Sequence, residues 1–417
     1  MKTIDKCRCC GSGDLYAYLD LGQQPLANSY HKGEELPTYP LVVNLCLSCF
    51  HSQLSVVVEP SLMFKNYLYV SGTTKTFQDH CKALAEDAVG YLYIDNARVL
   101  DIACNDGTLL SYFRELGCNI QGVDPAENLR EITKEKNIPV EVGYWGMNLA
   151  KKLGKFDIIT GTNVFAHVDN VAEFLDACHK SLNDNGVVIL EFPYCNKMIS
   201  HVEFDTIYHE HVSYFLISPF AKLVHSRGYS INRIIQTPIH GGSIRFFLKK
   251  VSIRPESDHL ALVVADPTEI TKGLLKKETY VKFAEAVEKN KNDMKNKLAE
   301  LQEQGYKTIG YGASAKGNTC LNHFEINLDY IVDDNPMKWG YLTPGRNIPI
   351  CDPEIMREEK QNLAVIILSW NFGREIIDKI KKIRPGKIDD VCLFYVPSIN
   401  TIRLYNDNED LLKVISG

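Results

Sequence analysis

Apolar runs that predict β-strands alternate with amphipathic helices in two stretches of this chain of 417 residues. Between residues 96 and 250 the strand-like runs are ARVLDIA, CNIQGVD, FDIITGT and GVVILEF. From residue 306 the pattern recurs with KTIGYG, LDYIVDD, LAVIILSW and DVCLFYV. Strands that alternate with helices pair in parallel, and the helices cover both faces of the sheet. The sequence therefore predicts an α/β fold with two Rossmann-like modules.

Changes in composition along the chain predict three segments. Residues 1–60 are rich in cysteine, glycine, proline and short β-prone runs, which is typical of a small domain with a thin core. Residues 61–254 begin with a helical stretch and contain the first α/β module. Residues 255–417 begin with a charged, largely helical connector and contain the second module.

The composition and net charge of the chain exclude several classes of protein. Hydrophobic residues make up 45% of the chain and charged residues 24%, as in a globular protein. A net charge of -6 gives no broad field that would hold nucleic acid. No stretch approaches the roughly 20 apolar residues that span a bilayer, and the N-terminus lacks the apolar run of a signal peptide. We therefore expect a cytoplasmic protein that binds neither nucleic acid nor a membrane.

Two C-x-x-C pairs predict a structural zinc site in the first segment. Cys7 and Cys10 form one pair, and Cys46 and Cys49 form the other. Four thiolates complete a tetrahedral shell and leave no open position for catalysis. Cys9 lies inside the first pair and lacks the standard spacing. The alternative is a set of reduced thiols without a metal.

The loop after ARVLDIA has the features of a site for a nucleotide-like ligand. In a doubly wound sheet such ligands bind at the carboxyl ends of the strands. Ala103 and Gly107 let the backbone approach the ligand, while Asn105 and Asp106 offer polar groups to the same crevice. Asp101, in the strand before the loop, is a further predicted cofactor-binding residue. The dinucleotide fingerprint has three glycines, whereas this loop has one.

An acidic residue ends the next strand. Asp124, followed by Pro125, lies about 20 residues after the loop, where a carboxylate can accept hydrogen bonds from both ribose hydroxyls. Proteins that bind nicotinamide cofactors or S-adenosylmethionine share this feature. The alternative is that Asp124 caps a helix N-terminus.

The ends of the third and fourth strands complete this predicted site. Tyr144 and Trp145 offer a wall for an adenine ring. Asn163 and His167 follow FDIITGT, where methyltransferases place the reacting methyl group. A buried core histidine is the alternative for His167.

These motifs resemble those of the S-adenosylmethionine-dependent sugar C-methyltransferases that act on nucleotide-linked 4-keto deoxysugars. The resemblance covers nearly the whole chain, and its most diagnostic block is DTIYHEHV at 205–212. The other matching runs are CRCCG at 7–11, LCLSC at 45–49, NDGTLL at 105–110, NVFAHV at 163–168, HGGSIR at 240–245, YGASAKG at 311–317 and VDDN at 332–335. The chain departs from the family at 101–104, where Asp-Ile-Ala-Cys replaces Glu-Ile-Gly-Ser.

The resemblance implies both the domains and their ligands. It makes the three segments a zinc-binding domain, a Rossmann-like methyltransferase domain and a Rossmann-like C-terminal domain. It implies structural Zn²⁺, S-adenosylmethionine as methyl donor, and a dTDP- or GDP-linked 4-keto-6-deoxyhexose as acceptor. It adds Phe165 and Pro125 to the donor site. It also assigns residues to the acceptor site, namely His240, Gly241, Ser243, Ser314 and Lys316.

C-methylation next to a ketone needs a base, because loss of the acidic proton gives the enolate that attacks the methyl group. His211 is the preferred base, since its ordinary pKa lies near neutrality. Tyr208 is the alternative base or the donor to the ketone oxygen. Glu210 orients a histidine or binds a sugar hydroxyl, and the resemblance puts His167 close to the methyl group. One or two of the three histidines, His209 above all, can instead satisfy buried hydrogen bonds.

In the second module, GYGASAKG follows a strand and begins a helix. Amides at the helix start, together with Lys316, form an anion site. The resemblance implies that the sugar nucleotide lies between this module and the methyltransferase domain. The alternative is a plain strand-to-helix connection.

Several rival functions stay open from the sequence. C3 of the sugar is the preferred carbon, and the alternatives are C5-methylation and O-methylation. The single-glycine loop disfavours an NAD-dependent sugar-nucleotide oxidoreductase, and the tandem modules disfavour a zinc scaffold without catalysis. The chain can be a monomer or a dimer.

Overall fold

The structure is a computed structural model that describes residues 1–65, 70–251 and 266–405. In chain order its strands are β1 (Lys2–Thr3), β2 (Leu15–Pro25), β3 (Thr38–Cys46), β4 (Ser52–Leu54), β5 (Val56–Val57), β6 (Arg98–Ile102), β7 (Asn119–Asp124), β8 (Val140–Val142), β9 (Phe156–Thr162), β10 (Leu182–Pro193), β11 (Ser213–Tyr214), β12 (Tyr229–Thr237), β13 (Ser243–Lys250), β14 (Lys307–Tyr311), β15 (Ile331–Val332), β16 (Ile350–Cys351), β17 (Leu363–Ile367), β18 (Val391–Phe394) and β19 (Asn400–Arg403). Its α-helices are α1 (Ser61–Phe64), α2 (Lys75–Leu92), α3 (Thr108–Glu115), α4 (Arg130–Glu135), α5 (Met147–Leu153), α6 (Val171–Ser181), α7 (Cys195–Ser200), α8 (Ile217–Ser226), α9 (Pro267–Thr271), α10 (Lys277–Glu303), α11 (Ala315–Phe324) and α12 (Gly373–Ile383).

The central sheet has seven strands in the order β12-β13-β10-β9-β6-β7-β8. Strands β6 to β10 pair in parallel, and β13 is antiparallel to both of its neighbours. The strand order reverses at β6, which lies between β7 and β9. The carboxyl ends of these three strands therefore form the crevice in which doubly wound sheets bind ligands.

The C-terminal sheet is built in the same way from six strands, in the order β16-β15-β14-β17-β18-β19. The first five are parallel, and β19 is antiparallel to β18. The strand LAVII is buried throughout because helices cover both faces of the sheet. The predicted fold class, α/β with two Rossmann-like modules and a cysteine-rich N-terminal region, is confirmed.

The N-terminal sheet is antiparallel, in the order β11-β4-β3-β2. Its edge strand β11 comes from far along the chain and follows the DTIYHEHV block directly. Ser213 pairs with Gln53, and Tyr214 pairs with Ser52. The backbone next to the block is thereby fixed to the sheet of the first 60 residues.

Helix α10, part of the predicted connector, joins the domains rather than standing apart in solvent. One face is buried at helical spacing, by Tyr280, Phe283, Val287, Met294, Leu298 and Leu301. The ring of Tyr280 packs edge-on against Tyr18 of β2, with centroids 5.1 Å apart. A single apolar cluster includes Leu21, Leu100 and Leu321, so the three regions share a core. None of the helices in the described ranges is long and apolar enough to cross a membrane.

Candidate active site and zinc centre

The four predicted zinc ligands lie together. The Sγ atoms of Cys7, Cys10, Cys46 and Cys49 all lie within 4.8 Å of one another. Cys7 and Cys49 are 3.6 Å apart at sulfur, as are Cys10 and Cys46. Zinc held tetrahedrally by thiolates at about 2.3 Å separates its sulfurs by about 3.8 Å, so the donor set fits the ion. Cys9 is outside this group.

Each cysteine pair is closed by its own backbone. Gly11 donates its N–H to the carbonyl of Cys7 at 2.8 Å, and Phe50 does the same to Cys46. Gly11 and Phe50 both have positive φ, of 75° and 63°. The matching turns bring the two thiols of each pair to the same side, as a zinc knuckle requires.

The predicted donor loop and Asp124 meet at the carboxyl ends of β6 and β7. Asp124 accepts the N–H of Asn105 on Oδ2 and the N–H of Ala126 on Oδ1, both at 2.8 Å. The two bonds fix the carboxylate toward the loop and leave each oxygen a further lone pair. The bond from Ala126, two residues further on, is of the kind that a capping aspartate forms. The bond from Asn105 is not part of such a cap, because it joins Asp124 to the loop after β6. Burial raises the pKa of Asp124.

Asp101 lies behind this loop with little exposure. Its Oδ1 accepts the hydroxyl of Thr160 at 2.6 Å. The pKa of Asp101 is raised to about 7, chiefly by burial and to a smaller extent by the charge of Asp124, against the opposing effect of the Thr160 bond. A cation in the cavity would favour its carboxylate form.

The loop itself carries backbone conformations that non-glycine residues rarely adopt. Ala103 has φ of 58° and Asn105 has φ of 50°. For alanine this left-handed conformation costs about 1–2 kcal/mol. Gly107 caps the N-terminus of α3, also with positive φ, and does not line the cavity.

Asn163 lines the cavity at the predicted methyl-donor site, which we call the donor edge: the carboxyl ends of β6, β7 and β9. It follows β9 with φ of 55°, and its buried Oδ1 has no hydrogen-bond partner among the described residues. Pro125, Tyr144 and Trp145 line the same cavity. Such an orphaned buried oxygen fits a ligand that carries a hydrogen-bond donor.

Phe165 is where the structure differs from the predicted donor site. Its ring is fully buried and packs against Phe174, Phe192, Phe215 and Phe220 at centroid distances of 5.0 to 5.7 Å. It does not line the cavity. A phenyl ring gains more from an aromatic core than from a polar site, so Phe165 supports the loop from behind.

The DTIYHEHV block contributes a hydrogen-bonded pair to the cavity. Tyr208 Oη and His211 Nε2 are 2.9 Å apart, and His211 Nδ1 is 2.7 Å from the carbonyl oxygen of Thr206. A carbonyl oxygen only accepts, so Nδ1 carries a proton and neutral Nε2 accepts from Tyr208. This arrangement leaves Nε2 as the basic end of the pair.

His167 lies beside the pair. Its ring is 5.0 Å from that of His211 and is stacked on Phe64 at 5.4 Å. Burial lowers the pKa of His167 to about 4, so the ring is neutral near pH 7. A neutral imidazole can donate or accept a hydrogen bond but carries no positive charge.

Glu210 and His209 lie behind the pair, and neither lines the cavity. Glu210 is buried and accepts the side-chain N–H of Asn28 on Oε1 at 2.6 Å. His209 is buried against Tyr39, with ring centroids 5.8 Å apart. Burial lowers the pKa of His209 to about 4, so this ring is neutral near pH 7.

The C-terminal loop forms the opposite wall of the cavity. Ser314 Oγ accepts the N–H of Gly317 at 3.1 Å and so caps α11. Lys316 Nζ lies 4.4 Å from the centroid of the Trp370 ring. Both Ser314 and Lys316 line the cavity, as does Asp333 at the end of β15.

Gly241 and Ser243 of the HGGSIR run do not line the cavity. Gly241 has φ of 93° and packs against Trp370. Ser243 is buried and donates its hydroxyl to the carbonyl of Ile239 at 3.1 Å. The side chain of His240 lies outside the described part of the structure. Gly241 thus borders the C-terminal loop, next to Trp370 and Lys316.

One cavity of about 1060 Å³ connects the two edges. It runs from Asp124 past Tyr208 and His211 to Lys316. The N-terminal region closes it with Asn28 and Tyr30, whose hydroxyl donates to the carbonyl of Ala313 at 2.6 Å. The volume lies at the upper end of that for small-molecule sites.

Several lining residues were missed from the sequence. Asn28 and Tyr30 lie in PLANSY, which carries no motif of catalysis or cofactor binding. Asp333 could have been predicted in the same way as Asp124, because it is an acidic residue at the end of the second strand of its own module. Lys338 lines the cavity beside Asp333, at 3.2 Å.

Three family models match the chain. They are a zinc binding domain over residues 7–64, a methyltransferase domain over 75–233 and a C-methyltransferase C-terminal domain over 238–397. C-methyltransferase NovU from Streptomyces niveus is 29% identical over 400 residues, which cover 92% of this chain and 93% of that enzyme.

Shorter similarities fall on the methyltransferase region. Ubiquinone biosynthesis O-methyltransferase of Bartonella quintana (strain Toulouse) is 32% identical over 115 residues, which span 26% of this chain and 47% of that enzyme. Magnesium protoporphyrin IX methyltransferase of Synechocystis PCC 6803, solved with bound SAH, is 16% identical over 42% of this chain and 83% of its own, with a TM-score of 0.35.

The full-length similarity decides the family. Three successive domain models and a C-methyltransferase that is similar over nine-tenths of both chains describe the same protein from end to end. The chain belongs to the S-adenosylmethionine-dependent C-methyltransferases that carry a zinc-binding domain.

Proposed function

We propose that this enzyme transfers a methyl group from S-adenosylmethionine to C3 of a nucleotide-linked 4-keto-6-deoxyhexose, through deprotonation next to the ketone. The observation that carries the proposal is the Tyr208–His211 pair, which lies in one cavity between the donor edge and the cationic loop of the C-terminal module. C-methylation needs a carbon nucleophile, and a ketone is what makes a sugar carbon acidic.

In this proposal the methyl donor binds at the edge formed by β6, β7 and β9. Asp124 holds the ribose hydroxyls, and Asp101, Ala103, Asn105, Pro125 and Asn163 surround the rest of the donor. When bound, S-adenosylmethionine supplies the electrophilic methyl group. The acidic side chains of this edge suit a cationic ligand.

The acceptor binds toward the C-terminal loop. Lys316 and the N-terminal amides of α11 take the diphosphate, and Ser314 orders the turn that presents them. The sugar then reaches the Tyr208–His211 pair. A dTDP or GDP carrier satisfies the same anion site, so the carrier is an outcome of the test below.

The proton of the sugar carbon passes to the Tyr208–His211 pair. The C–H bond breaks, its electrons form the enolate, and the proton comes to rest on His211 Nε2, directly or through Tyr208. Thr206 stabilises the resulting imidazolium through its bond to Nδ1. Neutral His167 and the Tyr208 hydroxyl are the groups that can donate to the developing oxyanion.

Proton exchange in heavy water tests this assignment, because deprotonation precedes transfer and needs no methyl donor. His211→Asn should lower exchange and methylation together by roughly 10²–10⁴-fold, with S-adenosylhomocysteine affinity intact. His209→Asn is the matched control, since it changes the neighbouring imidazole that does not line the cavity.

Tyr208→Phe separates direct from relayed proton removal. Loss of exchange in this variant indicates a relay through the phenol, whereas normal exchange makes His211 the direct base. If both His211→Asn and Tyr208→Phe exchange normally, the base lies elsewhere and His167 is the next candidate.

The acceptor is identified by a panel. Labelled S-adenosylmethionine is offered with dTDP-, GDP- and UDP-linked 4-keto-6-deoxyhexoses, and the product is examined by NMR. A new quaternary or branched C3 supports the proposal. A methyl group at C5, or on oxygen, contradicts the assigned position.

A further inference from the structure

A buried carboxylate joins the methyltransferase domain to the C-terminal module. Asp205, the first residue of the DTIYHEHV block, is fully buried. Its Oδ2 accepts hydrogen bonds from Trp370 Nε1 and from Tyr395 Oη, both at 2.7 Å. Both donors belong to the C-terminal module, so the carboxylate crosses the boundary between the two regions.

The charge of Asp205 is costly at this position. Taking a carboxylate out of water destabilises the fold unless partners satisfy both of its oxygens. Here Oδ1 has no hydrogen-bond partner among the described residues. Burial raises the pKa of Asp205, against the opposing effects of Lys316, Tyr395 and Trp370. A neutral side chain would join the two regions at lower cost, so the charge points to a function.

Trp370 connects Asp205 with the predicted anion site. The indole N–H binds Asp205, and Lys316 Nζ lies over the face of the same ring, 4.4 Å from its centroid. Gly241 permits this packing, because a Cβ at that position would lie 2.8 Å from Trp370 Cη2. The indole therefore has one edge on the carboxylate and one face on the ammonium group.

Asp205 also directly precedes the residue whose carbonyl oxygen holds His211. The next residue, Thr206, provides the carbonyl that accepts the Nδ1 proton of His211 at 2.7 Å. A shift of the Asp205 backbone would move this carbonyl. It would thereby change the orientation of His211 and its bond to Tyr208.

We propose that Asp205 is a positioning residue that couples the anion site at Lys316 to the Tyr208–His211 pair, with Trp370 as the connecting side chain. The inference rests on the proposed function. A diphosphate bound at Lys316 fixes Trp370, and Trp370 fixes Asp205 and the segment that holds His211. Binding energy from the nucleotide is then used to raise the rate of proton removal, and not merely the affinity for substrate.

Two single variants separate this coupling from a structural role. Trp370→Phe keeps an aromatic face beneath Lys316 and deletes the N–H bond to Asp205. Tyr395→Phe deletes the other bond to the same oxygen, and it is the matched control because it leaves the indole beneath Lys316 in place. Trp370→Phe should slow exchange at saturating substrate by roughly 10–100-fold with little change in KM. Tyr395→Phe should keep nearly the normal rate.

A double-mutant cycle with Lys316→Met gives the decisive measurement. If the two side chains act as one unit, Lys316→Met combined with Trp370→Phe loses no more than the larger single loss. Independent side chains multiply their losses instead. Zinc content and S-adenosylhomocysteine affinity are measured for each variant, and unchanged values show that the fold is intact.

The outcomes are distinct. Multiplied losses in the cycle, or equal losses in Trp370→Phe and Tyr395→Phe, overturn the coupling while the proposed function stands. If Trp370→Phe does not fold, the cycle is repeated with Asp205→Asn, which keeps an acceptor oxygen and removes the charge. If the wild-type enzyme exchanges no proton in any 4-keto sugar nucleotide, the proposed function fails, and the coupling fails with it.

Discussion

The two Rossmann-like sheets form the same ligand edge with different residues. In the methyltransferase sheet, Asp124 accepts an N–H from the loop after the first strand and another from the residue two positions further on. In the C-terminal sheet Asp333 does the same, with Ala313 at 2.7 Å and Asn335 at 2.8 Å. The same two kinds of backbone hydrogen bond therefore fix the carboxylate at both edges.

The edges differ in charge. Asp333 pairs with Lys338 at 3.2 Å, whereas Asp124 takes part in no ion pair among the described residues. All lysines of the described ranges that line the cavity, Lys316, Lys338 and Lys379, belong to the C-terminal module. The donor edge instead presents Asp101, Asp106 and Asp124.

From these two edges we propose that topology supplies the crevice and that side-chain charge selects the ligand. Among the described residues no lysine lines the donor edge, although Lys136 pairs with Asp106 from outside the cavity at 2.8 Å, and such an edge suits a cationic sulfonium donor. An edge lined by lysines suits an anionic nucleotide. The following experiments test that division of roles.

Removing zinc should have the largest effect, since the N-terminal region contacts both the C-terminal edge and the DTIYHEHV block. Asn28 bonds Glu210, and Tyr30 bonds the carbonyl of Ala313. Changing Cys7, Cys10, Cys46 and Cys49 to Ser should abolish binding of about one zinc per chain, which is worth about 10–16 kcal/mol in zinc-finger peptides. Methylation should be lost.

Asp101 and Asp124 are held by hydrogen bonds within the methyltransferase domain, so S-adenosylhomocysteine affinity should survive in part. Metal analysis and calorimetry measure the two quantities. Zinc retained by the four-serine variant would contradict the ligand assignment, and loss of both ligand affinities would show that the N-terminal region supports the two edges equally.

Replacing the carboxylate of each edge by alanine tests directly whether the two edges bind different ligands. Asp124→Ala should weaken donor binding by about 1–3 kcal/mol through loss of hydrogen bonds to a charged group, and leave nucleoside diphosphate affinity unchanged. Asp333→Ala is the mirror variant and should weaken only the nucleotide. Titration calorimetry measures the affinity of each variant for each of the two ligands. A donor affinity that falls equally in the two variants would remove the distinction between the edges.

The pH dependence of donor affinity tests the acidic character of the donor edge. The pKa of Asp101 is raised to about 7, so its carboxylate form, which a cation favours, accumulates as pH rises through 7. Affinity for S-adenosylmethionine should rise about tenfold between pH 6 and pH 8. Asp101→Asn should flatten this rise, and S-adenosylhomocysteine, which lacks the sulfonium charge, should show a weaker one.

The same shift affects stability with a defined sign. The folded pKa of Asp101 exceeds its unfolded value, so the ionised group destabilises the fold and stability falls as pH rises from about 4 to about 7. Asp101→Asn should therefore gain most, relative to wild type, above pH 7. A pH-independent difference in unfolding free energy would exclude titration of Asp101 as the cause.

The smallest effect concerns equivalent turns of the two edges. Ala103 donates its N–H to Val123 and has φ of 58°, while Gly312 donates to Val332 and has φ of 93°. Ala103→Gly should stabilise the fold by about 0.5–1 kcal/mol, because relief of the left-handed alanine exceeds the added flexibility of the unfolded chain. Urea unfolding measures it.

The mirror change completes the test of these turns. Gly312→Ala should destabilise the fold, since its Cβ would lie 2.9 Å from Ser369 Cβ. If Ala103→Gly destabilises as well, the alanine makes a favourable contact that outweighs its conformational strain.

Local features of this protein could be predicted from the sequence alone. Apolar runs that alternate with helical patterns predicted the parallel strands, and cysteine spacing predicted the zinc ligands, because each depends on residues within one turn or one strand. Asp124 followed from its place at a strand end. The DTIYHEHV block was identified through the family resemblance, and its Tyr208 and His211 form a hydrogen bond at a separation of three residues.

Pairings between distant segments became visible only in the folded chain. Asn28 meets Glu210 across 182 residues, Trp370 meets Asp205 across 165, and β11 joins a sheet formed by the first 60 residues. Phe165 went to the aromatic core, although its motif indicated the donor site. These contacts cannot be predicted from a local sequence pattern, because they depend on how the three regions bury a common core.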